Sequence, residues 1–407
     1  MIINSQPNNW QNVYNEMVFG LESTNATAAG FQFLVDINVS GQTNPVARLT
    51  YPKQPGINTI DVDVSEVLRN YVSYDFASYN ASGIYHCINS KVDYWVEFGE
   101  VRNNASGIPV IYPNLTGFYA SGNNAHSTNA IFDFLDWSKT AFIDYNVNSP
   151  IESGLTLNQT TFQEKLRYGE ERFLTYFDYD EIYGTGIVGN INVQVLDKNL
   201  NLLIESNAGF TPIGSINSIN VANSGNASGY YKSVYDAAFD YPNAVYYRVN
   251  GQNTAGSGAT TYFSRTFLID TSCQKYSPIR LHWLNNLGGF DAYTFTKVSR
   301  NFTDIERKMF KKFQPLNYPK TFRAKTNYFT KLTDTIQINS DGLTDAEWIG
   351  LKELVLSPVV MMEYGATYIP VNIKESNYEE KIYINDRQIS SLQLTLEYTF
   401  DNYRQSL

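Results

Sequence analysis

Leu392-Gln393-Leu394-Thr395-Leu396-Glu397-Tyr398-Thr399-Phe400, near the end of the chain, alternates apolar and polar residues without a break. Successive side chains of a strand point to opposite faces, so this stretch predicts a half-buried strand with Leu392, Leu394, Leu396, Tyr398 and Phe400 on its inner face. Upstream, Thr344-Asp345-Ala346-Glu347 has the form of a capping box. The Thr344 hydroxyl accepts from the third helical amide, and the Glu347 carboxylate accepts from the cap amide. The helix opened there buries Trp348, Leu351 and Val355 on one stripe and stops before Pro358. Asn339-Ser340-Asp341-Gly342, just before it, reads as a turn.

The strands around this helix are legible too. Ile279–Leu284 and Phe290–Val298 flank Asn285-Asn286-Leu287-Gly288-Gly289, a glycine-containing hairpin loop. Ile369, Val371 and Ile373 alternate, and Lys381–Ile384 turns at Asn385-Asp386. One helix against an antiparallel sheet defines an α+β domain over residues 273–407.

Residues 184–272 have a different texture. Ile191, Val193 and Val195 alternate, Asp197-Lys198-Asn199 turns the chain, and Leu202-Leu203-Ile204 returns. Tyr230–Tyr235, Ala244–Val249 and Thr261–Ile269 follow as short strands at regular spacing, which predicts an immunoglobulin-like β-sandwich. Residues 1–183 form an N-terminal β-rich domain with loop insertions. Phe31, Phe33, Val35 and Ile37 alternate, Val46–Tyr51 returns, and Thr59–Val64 leads into a short helix with Ser65 as its N-cap. Tyr94–Val101 is a further strand, and 102–130 is rich in loop residues. Ile131–Trp137 and Glu171–Phe177 are apolar without a clean period.

Composition narrows the function. Charged residues are 17% of the 407, below the roughly 25% of an average soluble domain. Aromatic content is high, with 31 Tyr and 24 Phe, which suits strands and protein–protein contact. The net charge of −10 argues against gripping nucleic acid over the whole surface. No segment has eighteen consecutive apolar residues, and Met1–Pro7 lacks the basic start and apolar run of a signal peptide. Cys87 and Cys273 are far apart and are expected to be two buried free thiols.

Catalytic and metal motifs are weak. Gly184-Thr185-Gly186-Ile187-Val188-Gly189 matches a dinucleotide fingerprint, but a strand rather than a helix is expected to follow, so an interdomain turn is the better reading. His86, His126 and His282 share no metal-ligand spacing and are read as structural or surface residues. Asp178, Asp180 and Glu181 lack the ordered oxygens of a calcium loop and read as a solvated acidic loop. No catalytic residue, metal site or cofactor is expected. One cluster stands apart: Arg307, Lys308, Lys311, Lys312, Lys320, Arg323 and Lys325 interleave with Phe310, Phe313, Tyr318 and Phe322. Its readings, in order, are a solvated face over a strand or helix, a patch docking on an acidic neighbouring subunit, and a nucleic-acid contact.

The chain resembles the virion structural proteins of Bacteroidetes-infecting tailed phages, crAss-like phages included. The resemblance is carried by Phe31–Val39, Ala47-Arg48-Leu49 and Ile60–Leu68, by Tyr276–Asp291, and by Leu343-Thr344-Asp345, Ser357-Pro358 and the Leu392–Phe400 strand. It implies a C-terminal domain like the phage tail-tube and hub fold. It also implies a non-enzymatic tail hub, baseplate or neck-ring subunit whose partners are copies of itself in a ring and other virion tail proteins. In such an assembly nucleic acid at most passes through a channel, no membrane is involved, and the protein is released in the virion by lysis. The alternative is a glycan-binding or glycan-cleaving receptor-binding protein, favoured by the aromatic content and by the loops at 102–130 and 206–229.

Overall fold

The computed structural model describes residues 1–7, 10–79, 81, 83–112, 125–128, 131, 162–178, 188–209, 215–220, 238–254, 258–378 and 391–403. The chain is mainly β, with 52% of residues in strands and 7% in helices, and the described residues form five sheets.

The first unit has two sheets. One joins β1 (Ile2–Ser5), β3 (Val18–Glu22) and β6 (Thr59–Asp63). The other runs β2 (Trp10–Asn12), β10 (Ala125–Thr128), β8 (Lys91–Asn103), β4 (Gln32–Val39) and β5 (Ala47–Pro52), with β9 (Pro109–Tyr112) also paired to β8. Phe19, Leu21 and Val62 from the first sheet share one core with Phe33, Val35, Tyr94 and Val96 from the second. β4 and β5 pair with Ile37 opposite Ala47, the return that the alternation predicts. Helix α1 (Ser65–Leu68) follows β6, but Ser65 is its first residue and not its cap. Asp63 takes the capping role: its carboxylate accepts from the Ser65 amide at 2.9 Å and also from the Met17 amide at 2.9 Å.

The second unit also has two sheets. One runs β11 (Lys165–Leu166), β17 (Thr261–Ile269), β16 (Tyr246–Gln252), β13 (Asn190–Leu196) and β14 (Leu202–Gly209). The other joins β12 (Phe173–Asp178), β15 (Ser215–Asn220) and β7 (Ile84–His86). Leu174 and Tyr176 of β12 share a core with Val193, Val249 and Phe263. β7, β11 and β12, which all precede residue 184, pair into these two sheets. The missing period of Glu171–Phe177 has a physical cause: all six residues of β12 are buried, so both faces are covered and neither has to be polar. Tyr176 packs on Phe263 at 5.1 Å between ring centres, while Phe177 meets Trp10 at 4.6 Å. The expected strands at Tyr230–Tyr235 and Lys381–Ile384, and the apolar stretch after Ile131, lie outside the described residues.

The third unit is a single eight-stranded antiparallel sheet in the order β19 (Phe290–Phe295), β18 (Ile279–Leu284), β22 (Val360–Tyr364), β23 (Thr367–Ile373), β24 (Ser391–Tyr398), β21 (Lys325–Gly342) and β20 (Arg300–Lys311). A short β25 (Asn402–Tyr403) also pairs with β21. Helix α2 (Asp345–Leu356) lies against it, and both capping-box bonds of Thr344 and Glu347 are present. Its buried stripe is Trp348, Leu351 and Leu354, with Val355 only partly covered. Leu392, Leu394 and Leu396 are buried as the alternation requires, but Phe400 is 75% exposed because β24 ends at Tyr398. The expected turn at 339–342 is instead a bulge inside β21: Asn339 pairs with Gln393 and Gly342 with Ser391, and the Ser340 hydroxyl accepts from the Leu392 amide at 2.8 Å. Cys87 is buried, but Cys273 is exposed, since it lies in the polar connection between the second and third units.

Buried charge joins the third unit to the second. Arg172 is fully buried, with Nε 2.6 Å from Glu164, Nη2 3.2 Å from Asp291, and Nη1 donating to the carbonyls of Phe173 and Phe290. Arg280 reaches Glu170 at 3.1 Å and donates to the Glu171 carbonyl at 2.7 Å. His282 Nε2 lies 2.7 Å from Glu363. The ring of Phe76, from the first unit, packs on Phe173, His282, Phe290 and Tyr368 beside these charges.

Candidate functional site: a basic hairpin arm

All seven cations of the sequence cluster fall on one feature, the hairpin of β20 and β21. Sequence favours the hairpin locally: Phe302, Ile305, Phe310, Tyr328, Phe329 and several threonines are strand formers. The strands pair from Arg300–Gln337 to Lys311–Lys325, with a register shift between Lys308 and Met309. β24 accompanies β21 only from Thr335 onward, and β25 adds pairs at Lys331 and Leu332. Past Lys331, the residues from Arg307 to Thr330 form a two-stranded arm with no third strand among the described residues. All twelve residues of β20 are exposed.

The base of the arm is fastened. Lys331 Nζ lies 2.8 Å from Asp401, and the Thr333 hydroxyl donates to the same carboxylate at 3.1 Å. These contacts raise the Lys331 pKa and lower that of Asp401. Thr303 donates to Asp334 across the strands at 2.6 Å, and Phe329 meets Tyr403 at 5.9 Å. Along the arm, the Lys308 ammonium sits 5.0 Å from the centre of the Phe329 ring, a cation–π contact. At the tip, the Lys312 amide donates to the Ala324 carbonyl at 2.8 Å and closes the loop. Within it, Phe322 donates to Pro319, and Pro315 and Pro319 restrict the backbone.

Two properties set the arm apart. The first is charge. Between Arg307 and Thr330 there are seven Lys or Arg and no Asp or Glu, so with −10 on the whole chain the remainder carries −17. Among the described residues Arg307, Lys311, Lys312, Lys320, Arg323 and Lys325 make no ion pair. The second is apolar exposure. Met309, Phe310, Tyr318 and Tyr328 stand open to solvent, Phe313 is 89% exposed and Leu316 is 101% exposed. An isolated two-stranded hairpin is marginally stable in water, and exposed apolar surface on a ribbon without its own core marks a contact site.

The seven cations thus share one exposed hairpin, with Arg307, Lys308, Lys311 and Lys325 on its strands and Lys312, Lys320 and Arg323 in the loop between them. The exposed apolar residues Met309, Leu316 and Tyr328 were not part of the sequence pattern. The missing acidic residues between 307 and 330, in a chain with 40 acidic residues, were the signal available. The other candidates are dispersed. His282 is fully buried, and burial together with Arg280 and Arg172 holds it well below its usual pKa. Asp178 accepts from the Val188 amide at 2.8 Å, while 180, 181 and 184–187 lie outside the described residues. Among the described residues no group of three or more His, Cys, Asp or Glu is placed to hold a metal, and no helix is long and apolar enough to cross a membrane. No family model matches the chain, and no curated protein matches its sequence.

Proposed function

We propose that the protein is a non-enzymatic structural subunit that assembles with copies of itself, and that the assembly is a ring of a phage virion tail hub, baseplate or neck. The observation that carries this reading is the arm: a cationic, apolar-tipped ribbon on an otherwise acidic body. Such a ribbon gains its missing contacts from a neighbour, and strands that join a neighbour's sheet remove the exposed edge. One helix on an antiparallel sheet with a long projecting hairpin supports the likeness to the tail-tube and hub fold. The two-sheet core of the second unit supports the immunoglobulin-like reading of the middle of the chain. In this reading the protein is assembled in the host cytoplasm and leaves in the virion.

The test is the mass of the purified protein in solution by light scattering, with negative-stain electron microscopy of the same sample. The expected result is a multiple of 46.2 kDa with closed rings. A mass of 46.2 kDa at every concentration refutes self-assembly. Turnover or specific binding on a host polysaccharide would favour the glycan reading instead.

A further inference from the structure

We propose that the arm tip, Phe313 and Leu316, docks into a cavity at the junction of the first and third units of a second copy of this chain. The inference rests on the self-assembly reading above and names the surface that receives the arm.

The cavity measures about 430 Å³ and is lined mainly by Tyr14, Val72, Ile131, Leu284, Leu356 and Pro358. That volume lies within the range of about 300–1,000 Å³ typical of ligand pockets. Leu356, at the last turn of α2, is 63% exposed at this site, so its wall includes apolar surface facing water. Glu353 adds a carboxylate to the wall.

Charge selects the occupant. Every ionisable acid–base side chain of the arm between Arg307 and Lys325 other than Tyr318 is a cation, while the rest of the chain carries −17. Two arms repel each other, whereas an arm and the body of another copy attract. Lys312 and Lys320 flank the tip in sequence, and among the described residues no Lys or Arg lines the socket to oppose them. The high exposure of Phe313 and Leu316 shows that the tip does not fill the cavity of its own chain. The loop is closed by the Lys312–Ala324 hydrogen bond and stiffened by two prolines, so little ordering entropy is lost on docking. The contact joins two different patches, and a heterologous contact of this kind closes into a ring when the rotation between copies allows.

The experiment uses the full chain in three forms: wild type, the tip variant Phe313→Asp/Leu316→Asp, and the socket variant Leu356→Asp. All three positions are exposed, so both variants should fold, with an unchanged urea midpoint as the check. Tyr14→Asp, on another wall of the cavity, replaces Leu356→Asp if that variant unfolds. Sedimentation equilibrium is expected to show wild-type oligomers and self-association weakened about thirtyfold or more in each variant, the change that a hot spot carries. An equimolar mixture of the two variants retains one intact tip and one intact socket, and should form a dimer that stops there. Wild-type assembly with unimpaired variants, or a mixture that stays monomeric, overturns the docking while leaving self-assembly standing. A wild-type chain that remains monomeric overturns both.

Discussion

Replacing Arg172 with Leu is expected to loosen the junction between the second and third units. Arg172 is fully buried and its guanidinium serves two carboxylates and two carbonyls: Glu164 at 2.6 and 3.0 Å, Asp291 at 3.2 Å, Phe173 O at 2.8 Å and Phe290 O at 2.7 Å. Glu164 and Asp291 are themselves almost fully buried, so without the guanidinium two carboxylates stay in a dry site with their shared cation gone, although Asp291 keeps the Asn285 amide at 2.9 Å. Removing one partner of a buried ionic group costs about 3–5 kcal/mol. With a urea slope of about 3 kcal/mol/M, that lowers the unfolding midpoint by roughly 1–2 M. Trp283 is fully buried in the third unit and Trp348 nearly so, so tryptophan fluorescence reports this part of the chain. If uncompensated charge is the cause, adding Glu164→Gln and Asp291→Asn to Arg172→Leu must recover part of the loss. A single variant that loses less than about 1 kcal/mol, or a triple variant no more stable than the single, refutes the reasoning.

Three further outcomes follow from the geometry. Self-association should weaken as salt rises from about 0.1 to about 1 M, because the Debye length falls from about 10 to about 3 Å and screens the arm from the acidic body; unchanged or tighter association at high salt would remove the electrostatic argument. His282 is held well below its ordinary pKa, so below about pH 6.5 the unfolded chain binds a proton that the folded chain refuses, and stability falls as pH drops. Glu363, raised by burial, acts in the opposite direction at lower pH, so the informative measurement is the slope of unfolding free energy between about pH 6.5 and 5.5, which His282→Gln should flatten relative to wild type. Thr344→Ala removes the cap of α2 and should cost about 1 kcal/mol in chemical denaturation, with no change in the mass measured in solution.

The parts of the fold legible in the sequence are those where local chemistry and burial agree. The capping box at Thr344 and Glu347 formed because both partners lie within one helical turn, and Leu392, Leu394 and Leu396 are buried because β24 has one wet face and one dry. The unread parts depend on distant segments. β12 shows no alternation because both its faces are covered, and only the fold reveals the covers: Phe76 and Trp10 of the first unit pack on Phe173 and Phe177 of one face, and Phe263 of the second unit packs on Tyr176 of the other. Ser65 looked like a cap because Ser is a good one, yet Asp63 also holds the Met17 amide and so serves two elements at once. In the candidate site the cations were visible as a cluster. Their placement on a free arm was not, since a hairpin standing clear of its sheet and one lying on it have the same local pattern of residues.

The charge distribution also bears on what kind of assembly the arm can build. A twelve-residue edge strand with both faces exposed, as β20 is, invites pairing with any other open strand. The simplest such event, two arms pairing with each other about a two-fold axis, would bring seven cations against seven with no carboxylate between Arg307 and Thr330 to offset them. The same charges that attract an acidic body therefore act against the symmetric dimer. In the proposed assembly the arm would then reach its partner head to tail, each copy both giving an arm and receiving one. Such contacts close into a ring where the rotation between copies allows and run on as a filament where it does not, so this charge pattern favours either over a symmetric pair. Reversing Arg307, Lys308, Lys311, Lys312 and Lys325 to Glu on half of the molecules in a mixture leaves that arm two cations against five carboxylates, net −3, and should then permit arm-to-arm dimers with the wild-type arm of +7. Their absence in sedimentation equilibrium would mean that backbone geometry, and not charge, keeps the arms apart.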